Sequence, residues 1–326
     1  MKAIVQEQYG SAEVLKVLEV EMPMPKNNEV LIQVKATALN APDWRLLKGK
    51  PLVMRMMTGL IRPKNKIKGC EFSGRIVELG QGITDFKVGD AVMGDVADAG
   101  FGAFSDYICV KSSLLARKPE SLTHIEAAAL PLTAVTALQG VRNIGQLKAG
   151  EDVLVVGASG GVGSYVLQIA KYFGGNVTAV ISEKNEKQAK DLGADEVVVY
   201  TKIPLDHIEY KYDLIMAVNG YNKIEAYSKL LKPQGRLVMI GGKSMKQIIF
   251  VTAFGGLISR KNGKKFKGLL ARANGKDLSY IGNLVDKKEI RPVIEKEIPF
   301  EDIPKGLSEL EKGHVSGKIV VWVNRD

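Results

Sequence analysis

Residues 153–165 read VLVVGASGGVGSY, an apolar run that enters a glycine-rich turn and leaves as a helix-like stretch. That order suits an anionic phosphate. A buried strand delivers the chain to the turn, and the first turn of the next helix presents unpaired N–H groups to negative charge. Gly157, Ser159, Gly160, Gly161, Val162 and Gly163 are the predicted dinucleotide contacts. Gly160 lets backbone approach a pyrophosphate, and Gly163 lets the helix pack closely on the sheet. The strict fingerprint has glycine where Ala158 stands, and a tight turn at any strand–helix junction can carry such glycines. The weight therefore lies on the surroundings, where four more strand candidates follow.

About 20 residues beyond the glycines, an NAD site presents Asp or Glu to the ribose hydroxyls. Here the strand ends Val180-Ile181-Ser182, followed by Glu183 and Lys184. A carboxylate at the discriminating place repels a 2′-phosphate, whereas Ser182 can donate a hydrogen bond and Lys184 supplies positive charge. NADPH is the cofactor this predicts. A strand ending one residue later would put Glu183 there instead and reverse the preference.

The elements that must position these residues follow from periodicity. From residue 152 short, wholly apolar runs (153–156, 177–181, 197–200, 214–218 and 236–240) alternate with stretches of helix length (162–173, 185–192 and 223–231). Strands apolar on both faces belong to a parallel sheet covered by helices, so this is a doubly wound α/β nucleotide-binding sheet. Residues 1–117 instead show short Val/Ile-rich runs broken by Gly, Pro and Asn, the texture of strands and turns. Near Ser121 the texture changes: Thr123 and Glu126 form a capping-box pattern, and Pro131 opens a second helical run. After Gly241 come a Lys/Met/Ile stretch, a basic loop, a strand near 266–271, a helix over 277–287 and a final strand over 317–323. The side chains of Phe250, Phe254 and Leu257 suit either an apolar acceptor or a domain core.

Composition removes several classes. At 326 residues, 45% hydrophobic and 25% charged, the chain is neither disordered nor a mini-protein in need of disulfides. Its two cysteines, Cys70 and Cys109, read as buried free thiols. The first 20 residues lack the apolar core of a secretory signal, and the longest apolar stretch, 248–258, falls short of the roughly 20 residues a spanning helix needs. A cytoplasmic protein without a membrane span is expected. The net charge of +10 concentrates partly in RPKNKIK (62–68) and RKNGKKFK (260–267). Neither run is interleaved with stacking aromatics, so both read as solvated loops and no nucleic-acid partner is expected.

The chain resembles a known family, the zinc-independent quinone oxidoreductase branch of the medium-chain dehydrogenase/reductase superfamily. The likeness rests on NAPDWRLLKG (40–49), GCEFSG (69–74), FKVGD (86–90), ALPLTAVTALQ (129–139), the 157–163 turn, LGAD (192–195) and GHVSGK (313–318). The DWRLLKG form is similar to members related to the plastid-envelope quinone oxidoreductase homologue. The resemblance implies a GroES-like, β-rich catalytic domain joined to a Rossmann domain: residues 1–120, then 121–262 for NADPH, then 263–326 returning to the catalytic domain. It further implies that Tyr200 helps hold the 2′-phosphate and that Asn40 and Thr136 lie near the nicotinamide. Val218, Gly241 and Gly242 would line the cofactor groove, and the family suggests a homodimer.

Zinc-containing relatives hold their metal with Cys and His to polarise an alcohol oxygen. This chain has Ala41 and Asp43 in the first ligand region and Cys70-Glu71 where those relatives have Gly-His-Glu, so no metal is expected. Its three histidines, His124, His207 and His314, read as helix or loop surface. Hydride delivery to a quinone, or to the C=C bond of an α,β-unsaturated carbonyl, needs no Lewis acid because the acceptor delocalises the developing charge. Asn40 and Arg45 are the candidate donors to that charge. Arg45 stands where many quinone reductases carry Tyr, and a surface salt bridge is its competing role. Trp44 reads as packing. Against the enzyme stands a second reading, an NADPH-binding interaction or RNA-binding module with little turnover; a zinc alcohol dehydrogenase is a third.

Overall fold

The computed structural model describes residues 1–50, 55–242 and 245–324. In chain order its elements are β1 (Lys2–Gln6), β2 (Leu15–Glu19), β3 (Glu29–Ala38), α1 (Ala41–Lys48), α2 (Arg55–Thr58), β4 (Glu71–Leu79), β5 (Ala91–Asp95), β6 (Tyr107–Lys111), β7 (Leu115–Arg117), α3 (His124–Ala128) and α4 (Pro131–Leu138). Then come β8 (Asp152–Val156), α5 (Gly161–Tyr172), β9 (Asn176–Ile181), α6 (Glu186–Asp191), β10 (Glu196–Val199), β11 (Tyr212–Ala217), α7 (Ile224–Lys229), β12 (Leu231–Met239), α8 (Met245–Asn262) and β13 (Lys265–Gly268). The chain closes with α9 (Gly275–Asp286), β14 (Ile294–Pro299), α10 (Ile303–Glu311) and β15 (Lys318–Trp322).

Two compact units result: Met1–Val135 with Arg272–Lys288 and Pro292–Asp326, and Thr136–Ala271 with Glu289–Arg291. Both changeovers fall later than the expected 120/121 and 262/263. The physical reason is packing: α3 lies on β3, β4 and β15, and β13 extends the sheet of the second unit by pairing with β12.

In the first unit a mostly antiparallel sheet runs β14-β15-β3-β4-β5-β7, with β6 also on β3, and β1-β2 forms a separate ladder. The C-terminal strand β15 is antiparallel to β3, Val320 opposite Ala38, so the last strand of the sequence joins a sheet built mainly from residues 29–117. Ile32, Val34, Phe72, Ile76, Val92 and Ile108 form one core; Ile4, Leu39, Leu47, Phe104, Ile303 and Ile319 form another.

The second unit is an all-parallel sheet in the order β10-β9-β8-β11-β12-β13. Val153, Leu154, Val155 and Val156 are all buried, as strands covered on both faces require. The order reverses between β8 and β11, which makes a topological switch point there. Four helices escaped the periodicity reading, the short α2 and the amphipathic α10 as well as α1 and α8. In α1, strand-like texture hid a helix entered through Pro42 and stopped at left-handed Gly49. In α8 the central residues 248–258 are apolar almost without interruption, so no 3.6-residue stripe marks that part of the helix. Among the described residues, no helix is long and apolar enough to cross a membrane.

Candidate active site

In the second unit the glycine turn sits at the switch point. Gly157 follows β8 with φ at 85°, and a Cβ there would come within 2.6 Å of Asn219 Cβ, the residue just past the neighbouring strand β11. Gly163 is excluded from carrying a side chain more severely, since its Cβ would lie 2.0 Å from Gly157 O. The helix thus seats directly on the turn backbone. Gly160 differs: it is extended, and a Cβ would meet only Gly157 O at 3.8 Å. The space beside it is open, as a cradle for a pyrophosphate requires, and the N-terminus of α5 supplies N–H groups without intrahelical partners. Ala158, in place of the fingerprint glycine, is buried.

β9 ends at Ile181, which places Ser182 first beyond the strand and Glu183 second. Asn185 Nδ2 donates to Ser182 Oγ at 3.0 Å. Glu183 is engaged by Lys202 Nζ at 2.6 Å. Tyr200 N donates to Ile181 O, so the exposed Tyr200 ring, the exposed Lys184 and Ser182 gather at the same end of the β9-β10 pair. Val218 N donates to Val156 O at 3.1 Å, and Gly241 N donates to Ala217 O. Gly241 packs its α-carbon against Val218 O, and Gly242 bridges Gly220. The turn, Ser182, Lys184, Tyr200, Val218, Gly241 and Gly242 therefore all lie at the carboxyl ends of adjacent parallel strands. Thr136 is buried in α4. Lys202 and Asn219 belong to this group and were missed; neither sits in a recognisable motif, and only strand pairing brings them in.

The first unit builds its polar cluster from side chains. Lys318 Nζ, 3% exposed, reaches Glu71 Oε1 at 2.5 Å, Asn40 Oδ1 at 2.6 Å and Leu39 O at 3.2 Å. Asn40 donates its two amide hydrogens to Glu71 Oε1 (2.8 Å) and Ala38 O (3.1 Å). Glu71 Oε2 accepts from Leu132 N at 2.7 Å, at the start of α4. Beside this network Asp43 accepts from Asn40 N (2.8 Å) and from Cys70 Sγ (3.1 Å). Burial pushes the Asp43 carboxyl up to about 7 against those hydrogen bonds, and likewise Asp95 to about 7. Burial and the nearby carboxylates hold Cys70 well above an ordinary thiol, while burial brings Lys68 down to about 8.

The other predicted groups sit as follows. The Arg45 guanidinium lies 5.2 Å from the Trp44 ring centroid, and Trp44 packs on the core as expected. Cys70 is buried, but Cys109 is half-buried. His207 and His314 are exposed; His124 is not, being half-buried at the start of α3 with Nδ1 2.8 Å from Ser73 Oγ. Ser73 gives its own hydrogen to Val92 O, so the imidazole donates to the serine and does not activate it.

Residues 26–120 match the family described as the alcohol dehydrogenase GroES-like domain, and residues 192–321 match the one described as zinc-binding dehydrogenase. A spinach chloroplast quinone-oxidoreductase homolog is 32% identical, over 96% of this chain and 95% of that one. A chloroplastic NADPH-dependent alkenal/one oxidoreductase of Arabidopsis thaliana is 31% identical, over 99% and 79%. The structure of a quinone oxidoreductase from Coxiella burnetii superposes with a TM-score of 0.88 at 29% identity, covering 99% of both chains. Among the described residues no three His, Cys, Asp or Glu side chains converge as metal ligands. The Cys70 thiol is committed to Asp43, and both Glu71 oxygens are taken.

Proposed function

The chain belongs to the medium-chain dehydrogenase/reductase superfamily of oxidoreductases, and from that premise we propose that it is an NADPH-dependent reductase acting on quinones or α,β-unsaturated carbonyls without zinc. Bound NADPH would supply a hydride to the electron-poor carbon of such an acceptor. The turn from Gly157 to Gly163 would hold its pyrophosphate on backbone N–H groups, with Gly160 leaving room for the approach.

The observation that carries the preference for NADPH is the Glu183–Lys202 pair. It neutralises the carboxylate next to the strand end, so that Ser182, Lys184 and Tyr200 face a 2′-phosphate without an opposing charge. In the first unit, Asn40 has both amide hydrogens committed to Glu71 and Ala38, which suits it to holding the framework. Arg45, one turn into α1, is the cation offered to the charge that develops on the acceptor carbonyl. A conjugated acceptor spreads that charge itself, which removes the need for a metal the donor set does not fit.

The test is oxidation of NADPH and of NADH across a panel of enones, enals and quinones, with metal analysis of the purified protein and a repeat with Lys184→Ala. Turnover favouring NADPH, weakened by the substitution, is expected. No turnover with any acceptor, an unaltered cofactor preference, or stoichiometric zinc would each defeat the reading.

A further inference from the structure

Between Asp43 and Glu71 the chain carries eight Lys and Arg and no acidic residue. In the middle of that span a short loop turns its largest apolar side chains outward: Leu60 is 71% exposed and Ile61 85%, with Met56 on the adjoining α2 at 70%. Arg62, Lys64 and Lys66, the next charged residues, are exposed as well, while Pro63 between them is buried. The loop is fastened at its base. Tyr9 OH donates to Gly59 O at 2.6 Å and lies 2.8 Å from Thr58 Oγ1, and the Arg55 guanidinium stacks 4.3 Å over the Tyr9 ring. Lys64 N closes the loop on Thr58 O, and on the far side Gln6 N donates to Lys66 O. Gly59 has φ at +118°, and a Cβ there would lie 2.0 Å from Arg62 O, so the bend is specific.

Two adjacent large aliphatic side chains held outward on a fastened loop lose the hydrophobic stabilisation they would gain elsewhere, and such a feature marks a surface that is covered in use. The covering layer must accept aliphatic side chains and, within the same few residues, three cations with no acid among them. A bilayer bearing anionic headgroups does both: its acyl boundary takes the apolar tips and its surface potential attracts lysine and arginine. We propose that the loop 59–66 is a docking surface for an anionic lipid bilayer, Leu60 and Ile61 entering the interface and Arg62, Lys64 and Lys66 lying against the headgroups. The proposed docking needs no cofactor.

The test is co-sedimentation of the full chain with vesicles of phosphatidylcholine alone and of phosphatidylcholine containing phosphatidylglycerol. Binding is expected to the anionic vesicles only, reversed by high salt. Replacing Arg62, Lys64 and Lys66 together by Ser should lower the partition coefficient about a hundredfold, roughly fivefold per cation. Leu60→Ser with Ile61→Ser should lower it at least tenfold, which a site for polyanions in general would not show. The melting temperature and any turnover of a water-soluble acceptor should stay as in the parent chain, because none of these side chains belongs to the proposed machinery. Three results would overturn the proposal: equal binding to neutral and anionic vesicles or to neither, retention on RNA unaffected by the Leu60 and Ile61 changes, or a fall in oligomer mass in those variants without loss of vesicle binding. Since vesicle binding is measured without NADPH, failure of the enzymatic reading leaves this outcome readable.

Discussion

The two units solve the problem of placing polar chemistry inside a folded chain in opposite ways. In the second, the proposed phosphate cradle is made of backbone: glycines at 157, 160 and 163 permit a turn and a close helix seat, and the side chains proposed to select the cofactor are a few exposed ones at strand ends. In the first, Lys318, Glu71, Asn40, Asp43 and Cys70 form a cluster of buried side chains drawn from β15, β4 and the entry to α1. A backbone site needs residues that are absent, so it tolerates no added atoms. A side-chain site needs partners that are present, so it tolerates no missing ones.

The largest effect expected from that contrast falls on the side-chain site. Lys318→Met leaves the Glu71 carboxylate buried without its cation and should cost about 3–5 kcal/mol in urea unfolding. Replacing Glu71 by Leu in the same chain should recover much of the loss, because the desolvated charge is then gone as well. Equal stabilities for the single and double variants would mean that the pair is not the unit of the network.

The backbone site comes next. Gly163→Ala drives a methyl to 2.0 Å from Gly157 O, a collision between backbone elements that neither can relieve by rotation. It should weaken NADPH binding about a hundredfold and lower the melting temperature, an overpacking penalty of about 1–3 kcal/mol in stability. Gly160→Ala sharpens the comparison, since its methyl enters open space. It should leave the melting temperature unchanged yet reduce NADPH affinity in a fluorescence titration, because only the ligand meets the added group.

That difference also explains what was legible in the sequence. Gly157–Gly163 announces itself because a backbone site is local: the residues that matter are contiguous, and strand, turn and helix follow one another. The alternation of apolar runs with helix-length stretches likewise made the parallel sheet readable, to within a few residues at each end. Lys318 lies in KIVVW, a strand with no outward sign that its lysine is buried, and its partners are 247 and 278 residues away. Sequence spacing carries no information about such a contact; only the antiparallel pairing of β15 with β3 creates it. Lys202 and Asn219 escaped for the same reason, and α8 because its apolar central run, 248–258, has no period to detect.

Smaller again is the effect at the cofactor's 2′ position. Lys184→Ala combined with Lys202→Ala removes two positive charges, the second of them the ion-pair partner of Glu183. KM for NADPH should rise about tenfold with that for NADH little changed, in keeping with the loss of a charge-assisted contact at an exposed site. If both cofactors weaken together, the two lysines act on the pyrophosphate or on the fold and do not discriminate.

The smallest effect is one of pH, and it separates the units without a ligand. Burial raises the Asp43 carboxyl to about 7, far above the value near 4 of an unfolded chain. The folded protein therefore holds a proton that the unfolded one has released, and the stability from this group is whole below about pH 4 and is lost as the pH climbs to about 7. Asp95, raised to about 7 by the same cause, acts in the same direction. Asp43→Asn keeps an acceptor for the Cys70 thiol while removing the titration. It should flatten the decline in melting temperature between pH 5 and 8 by about 3 °C, with Asp95 accounting for part of the slope that remains. Gly160→Ala, in the backbone-built unit, should trace the parent curve throughout, since it alters no titrating group. A variant Asp43→Asn whose decline matched the parent's would show that the carboxyl is ionised across that range, held so by Cys70, the Asn40 amide and Lys318 against the pull of burial.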